Sequence, residues 1–236
     1  MAIDFKSPAE AVLEQGIKCL IYGAAGSGKT VTCVTTNEPT LIVSTEAGLL
    51  SIKDAPKNIQ IVECNTREDV VEVLDYLVKN GPPAWVCLDS VSEIAEVVLA
   101  DELSKTKDGR KAYGELAVAM TSLIKKFRDL HCNVVMTSKV DRIKDELTGA
   151  MLYGPGMPGQ RLGQQLPYLF DLVGALRVSK GQDDKLERTI QTNLDDQWQA
   201  KDRSGKLEMF ERPNLALIRN KILGLTPTPV AKKKAA

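Results

Sequence analysis

A surplus of charge is the first thing missing: 31 lysines and arginines stand against 31 aspartates and glutamates, so the formal net charge of the 236 residues is zero. No global field then draws the chain toward nucleic acid or membrane, and any polyanion site has to be a local patch. Histidine is almost absent, with His131 alone, and the five cysteines (Cys19, Cys33, Cys64, Cys87, Cys132) show no C-x-x-C spacing. An odd number of scattered thiols, two of them (Cys19 and Cys87) inside apolar runs, argues against a zinc site or a disulfide framework. It fits small buried hydrophobes in a reducing compartment. Long apolar runs are missing too, and MAIDFKSPAE has no signal-peptide stretch. A cytoplasmic protein with no membrane partner is expected.

What is present is an ordinary balance of 43% hydrophobic and 26% charged residues, enough for one sizeable α/β core rather than two domains. The division expected is a segment 1–15, a core 16–225 and a proline-broken basic tail 226–236 without fixed structure. Ile17–Tyr22 reads as a buried strand, followed by a glycine-rich loop and a helix from about Lys29. That helix is expected to be short, because Thr30, Val31, Thr32, Val34, Thr35 and Thr36 are β-branched. Thr40–Thr45, Ile59–Glu63, Trp85–Leu88 and Asn133–Ser138 read as further strands. Helical stretches fall at Asp69–Leu77, about Val91–Leu103 and about Tyr113–Leu130. The alternation predicts a mostly parallel central sheet flanked by helices, an α/β fold. Asp141–Pro167 is polar and glycine-rich with no sustained period, a functional or mobile segment. Leu172–Val178 and Arg188–Thr192, joined by a turn at Gly181–Asp184, read as a C-terminal antiparallel hairpin. Asn214–Ile222 reads as a helix.

Gly23-Ala24-Ala25-Gly26-Ser27-Gly28-Lys29-Thr30 matches G-x-x-x-x-G-K-[ST], between an apolar strand and a helix. Its glycines let the backbone curl so that successive amides, up to Val31, face an anion. Lys29 should reach the β- and γ-phosphates of ATP, and the Thr30 hydroxyl should ligate Mg²⁺. Asp89 closes the strand WVCL at the end where ligands bind in open α/β sheets, and suits the magnesium shell; the alternative is a cap for the next helix. Hydrolysis also needs a group that orients water. Ser90 follows Asp89, so a glutamate in that place is excluded, as is the AAA+ pattern of adjacent Asp-Glu. Glu46, just past the second strand, is the nearest candidate, a solvated loop glutamate being the alternative.

The phosphate loop, LIVSTEAGLLS, WVCLDSVSEI and NVVMTSKVDR occur in the order of the RecA-like ATPase core. Over about residues 15–210 the chain most resembles the small phage RecA-core proteins that act as single-strand annealing recombinases. The resemblance implies Glu46 as the catalytic glutamate and Asp89 as the magnesium aspartate. It implies a γ-phosphate sensor at Ser138-Lys139, where relatives usually carry glutamine. It also implies that Lys201 and Arg203 act in trans on a neighbouring subunit's ATP, a solvated hairpin turn being the alternative. Two loops resemble the family's DNA-binding loops: Ser104–Tyr113, with Lys105, Lys107, Arg110, Lys111 and the ring of Tyr113, and Arg142–Gln165, with Arg142, Lys144, Arg161 and the ring of Tyr153. Each suits single-stranded DNA held through phosphate and stacking; each is also a plausible solvated loop. The partners implied are single-stranded DNA, further copies in a ring or filament, and a single-strand-binding protein, in a bacterial host's cytoplasm if the gene is a phage's. The function implied is ATP-dependent recombination or annealing. A ring helicase-like motor and a non-hydrolysing, ATP-gated binding module are the alternatives.

Overall fold

Short β-branched runs separated by capped helices build one continuous sheet. The computed structural model describes residues 5–46, 48–144, 146, 149–181 and 183–225; the expected basic tail 226–236 lies outside the described residues. In chain order come α1 (Pro8–Gln15), β1 (Lys18–Gly23), α2 (Lys29–Cys33), β2 (Thr40–Ser44), a 3₁₀ turn (Leu49–Ile52), β3 (Ile59–Glu63), α3 (Arg67–Asn80), β4 (Trp85–Asp89), α4 (Val91–Lys105) and α5 (Gly109–Arg128). Then follow β5 (Asn133–Lys144), β6 (Met151–Gly156), α6 (Gln160–Gln165), a second 3₁₀ turn (Leu166–Leu169), β7 (Leu172–Lys180), β8 (Leu186–Gln191), β9 (Lys201–Asp202), β10 (Phe210–Glu211) and α7 (Leu215–Leu223).

The strands lie in the order β10-β8-β7-β1-β5-β4-β2-β3, with β6 added beside β5 and β9 beside β7. From β7 to β3 all pairings along this path are parallel; β8, β10, β6 and β9 are antiparallel additions. Both faces of the central strands β1 and β4 are covered, and the side chains of the parallel strands alternate between two cores. Leu20, Tyr22, Val86, Leu88, Val134 and Met136 face α3, α4 and α5. Cys19, Ile21, Cys87 and Val135 face the other way, toward Cys33 of α2 and Leu215 and Ile218 of α7. All five cysteines are buried and free. No helix among the described residues is long and apolar enough to cross a membrane.

Local rules set the helix starts. Thr66 and Asp69 form a reciprocal capping box at α3, Ser90 accepts from the amide of Glu93 at α4, and Asn214 caps α7. The helix α2 has only five residues, as its β-branched content led us to expect.

Two expectations are corrected. Asp141–Pro167 is neither a long loop nor without period: β5 runs on to Lys144 and pairs with β6 from Lys139↔Gly156 to Lys144↔Met151. Two of the glycines that read as loop signals, Gly154 and Gly156, are strand residues of β6, and Gly156 lies so close over the Lys139 carbonyl that an added β-carbon would be 3.2 Å from it. Ser104–Tyr113 is likewise no loop. Lys105 ends α4, Asp108 caps α5, and Arg110, Lys111 and Tyr113 lie in the first turns of α5.

Candidate functional site

Gly23 ends β1 where the backbone turns into the loop. A β-carbon there would stand 2.8 Å from both the Leu176 carbonyl and the Ser27 hydroxyl, so nothing larger than glycine fits. Gly28 takes a left-handed conformation, φ 105°, and hands the chain to α2. The Lys29 ammonium folds back over its own loop, donating to the carbonyls of Gly23 (3.0 Å) and Ala24 (3.2 Å). Ala25, Gly26, Gly28, Lys29 and Thr30 of the loop border a cavity of about 580 Å³ that also touches Glu46, Ser51, Arg188 and Pro213.

Asp89 occupies the same region because strands alternate faces. Cys87 is on the α2 side, so Asp89, two residues on, is too. Its carboxylate is 3% exposed and accepts from the Thr30 hydroxyl at 2.5 Å and from the Thr137 hydroxyl. The helix cap is Ser90, not Asp89, which settles that alternative. The peptide bond between the two is cis.

Glu46 reaches the site from the neighbouring strand. Ser44 of β2 is in register with Asp89, and the Ser90 hydroxyl donates to the Glu46 carboxylate at 2.6 Å. Thr45 stitches the two strand ends together: its amide donates to the Asp89 carbonyl (2.8 Å), and its hydroxyl accepts from the Ser90 amide (3.1 Å). Glu46 and Asp89 therefore stand side by side at one end of the sheet, with Lys29 and Thr30 before them.

The donor set suits a nucleotide-bound metal rather than a free-standing one. Among the described residues no group of three or more His, Cys, Asp or Glu could hold a metal by itself. One buried carboxylate and one hydroxyl, 2.5 Å apart, are the protein's share that Mg²⁺ commonly receives when phosphate oxygens and water complete its shell. Thr30 and Asp89 would hold it.

The expected γ-phosphate sensor is corrected. Ser138 lies on the opposite face to Thr137, where its hydroxyl donates to the Gly156 carbonyl (3.0 Å) and meets Ser92 of α4 at 3.1 Å. The Lys139 ammonium is drawn to two glutamates of α4, Glu96 at 2.7 Å and Glu93 at 3.0 Å. Its hydrogen bond to Glu96 comes first in holding its pKa above the ordinary lysine value. Neither borders the cavity around the loop. The residue of β5 that does touch the site is Thr137, one position earlier, a parity shift that motif order cannot reveal.

Lys201 and Arg203 sit far from their own loop. β9 pairs with the start of β7, Asp202 opposite Leu172, and Leu172 lies beside Cys19 at the start of β1. Lys201 donates to the Pro167 carbonyl (2.6 Å), and burial, followed by the Arg203 charge, lowers its pKa. Arg203 pairs with Asp171 (3.3 Å) and donates to the Tyr168 carbonyl (3.0 Å). In this chain the two cations clamp one turn.

Of the basic residues expected to meet DNA, Lys105 is paired with Asp101 and Glu102 on its own helix. Lys107, Arg110 and Lys111 are exposed at the α4–α5 corner, and Lys144 at the end of β5. Tyr153 is corrected as a stacking platform: Trp198 stacks on it at 4.3 Å and 10°, and Arg142 lies 5.8 Å from its ring centre. Tyr113 is half-exposed and shares a groove of about 760 Å³ with Lys125 and Arg161. The two segments that sequence order separates thus border one groove.

Sequence reasoning missed Arg188, Ser90, Thr45 and Thr137. Serines and threonines after strands are too common to stand out, and Arg188 belongs to a hairpin far along the chain. A family model described as an AAA domain matches residues 15–204, from just before β1 through β9. No curated protein matches the chain. The family match reaches the nucleotide-binding class, not the narrower recombinase group. It comes with Ser90, not glutamate, after Asp89.

Proposed function

This chain belongs to the AAA domain family, and from that premise we propose that it is a magnesium-dependent ATPase that binds single-stranded DNA and acts in recombination or annealing as an oligomer. One observation carries the ATPase reading: Glu46 and Asp89 are tied to each other's strand ends beside Lys29 and Thr30. A triphosphate fits the loop with its terminal phosphate toward these groups, where Lys29 leaves its own carbonyls to neutralise phosphate charge. Magnesium, held by Thr30 and Asp89, supplies charge stabilisation at the phosphate oxygens. Glu46 orients the attacking water and takes up its proton. The hydrogen bond from Ser90 fixes the Glu46 rotamer for that task.

The DNA reading is supported by the groove in which Tyr113, Lys125 and Arg161 meet, with Lys107, Arg110 and Lys111 exposed nearby in the chain. On a chain of zero net charge, cations with an aromatic ring in one concavity are what backbone-plus-stacking recognition requires. Phosphate release measured with and without single-stranded oligonucleotide, across a salt series, tests the reading. Stimulation that fades as salt rises is the expected result. Turnover indifferent to DNA removes the recombination part and leaves the ATPase. No turnover at all, with ATP still bound, leaves a nucleotide-gated binding module.

A further inference from the structure

The cavity around the loop continues beyond the residues that a triphosphate and its metal engage. In sheet order β8 and β2 lie on opposite sides of β1, so the cavity runs from Gly48 and Ser51 after β2 to Arg188 of β8 and Pro213 before α7. The helix α7 is anchored against α2 there, its first amide, at Leu215, donating to the Thr35 hydroxyl at 2.9 Å.

Arg188 has a distinctive setting. Its Nε donates to the Ser27 carbonyl at 3.0 Å, and its Cδ lies 3.4 Å from the point where a Gly28 β-carbon would be. The guanidinium is thus laid along the outside of the phosphate loop. Among the described residues no carboxylate pairs with it, and its two terminal nitrogens make no hydrogen bond.

We propose that Arg188 holds the base of a bound purine nucleotide, its guanidinium plane against the base and Pro213 beside it; the proposal rests on the nucleotide reading above. Loop carbonyls point away from the phosphates that loop amides bind, so a cation fixed to the Ser27 carbonyl stands outside the cradle that Lys29 already serves. A guanidinium is planar, delocalised and weakly hydrated, and it stacks on aromatic faces as an ammonium cannot. One hydrogen bond to Ser27 presets its plane and lowers the ordering cost of binding. Purines, with the larger ring, gain more from such a face than pyrimidines.

Calorimetric titration of the full chain with MgATP and with magnesium tripolyphosphate tests this, on the wild type, Arg188→Ala and Arg188→Lys. Both variants are expected to weaken ATP about tenfold and to leave tripolyphosphate within about twofold, because lysine keeps the charge but not the plane. Equal losses for both ligands in Arg188→Ala, restored by Arg188→Lys, would make Arg188 a phosphate contact. Unchanged ATP affinity would make it only a brace for the loop. Either result overturns the proposal and spares the nucleotide reading; a wild type that binds neither ligand overturns both. Thermal melts without ligand check that each variant folds, and Arg188→Lys keeps a donor for Ser27 should the alanine loosen the loop.

Discussion

The carboxylates at the strand ends differ in what surrounds them. Asp89 is buried and engaged by Thr30 on one oxygen and Thr137 on the other, whereas Glu46 is partly open and, among the described residues, its carboxylate is held by Ser90. Burial suits a fixed metal anchor; partial exposure suits a group that must meet water. Glu46→Gln keeps the shape and the acceptor for Ser90 but loses the proton-accepting charge. It should retain ATP affinity and lower turnover by about 10²- to 10⁴-fold, read by single-turnover phosphate release. Comparable turnover in the variant would remove Glu46 from the chemistry. Thr137→Val is nearly isosteric and strips one partner from a buried carboxylate. Stability should fall by about 1–3 kcal/mol, and the magnesium concentration for half-maximal turnover should rise. A magnesium titration that superimposes on the wild type's would show Thr137 to be structural only.

At the scale of elements, the strands and caps were legible because they are local. β3 falls at Ile59–Glu63 as read, and β4 ends at Asp89 as read. The hairpin of β5 and β6 was not legible, since glycines that serve close backbone approach look the same in sequence as glycines that serve a turn. The α3 cap carries a pH signature. The Asp69 carboxylate accepts from the amides of Asn65 (2.8 Å) and Thr66 (2.9 Å), and these bonds, Asn65 first, hold its pKa below the ordinary aspartate value. Folded below unfolded, it contributes stability that is complete above the unfolded value, about 3.9, and is lost as pH falls through the lowered folded value. Asp69→Asn should therefore melt lower than the wild type at neutral pH, with the gap closing in acid. A gap in melting temperature that stays constant down to about pH 2 would contradict this account.

For the molecule as a whole, the parallel sheet separates two ends. The phosphate loop leaves β1 at Gly23, while beside the start of β7 Asp202 is level with Cys19 and Arg203 lies one residue further from the loop, its amide on the Asp171 carbonyl. Four residues of strand, about 13 Å, lie between those levels. Arg203 therefore cannot serve its own nucleotide, and any part it plays in hydrolysis has to be on a neighbouring copy. Arg203→Ala should bind ATP as an isolated subunit yet lose turnover, and wild-type turnover per subunit should rise with protein concentration. Full activity of the variant, or a specific activity flat across dilution, would restrict Arg203 to the clamp it forms with Asp171 and Tyr168.

Sequence by itself determined the phosphate loop, the strand that ends at Asp89, the place of Glu46 after β2 and the α/β class. Each of these depends on neighbours within a few residues, through backbone curl, period-two alternation or helix capping. Tertiary structure alone decided which hydroxyl meets Asp89, since Thr137 is 48 positions away and faces the site by strand parity. It alone laid Arg188 on Ser27, 161 positions apart, because β8 is two strands from β1 in the sheet. It also turned Lys139 toward α4 and closed Tyr153 against Trp198. Such contacts follow from strand order and register, which are set by burying both faces of the whole sheet and leave no mark in any short window of residues.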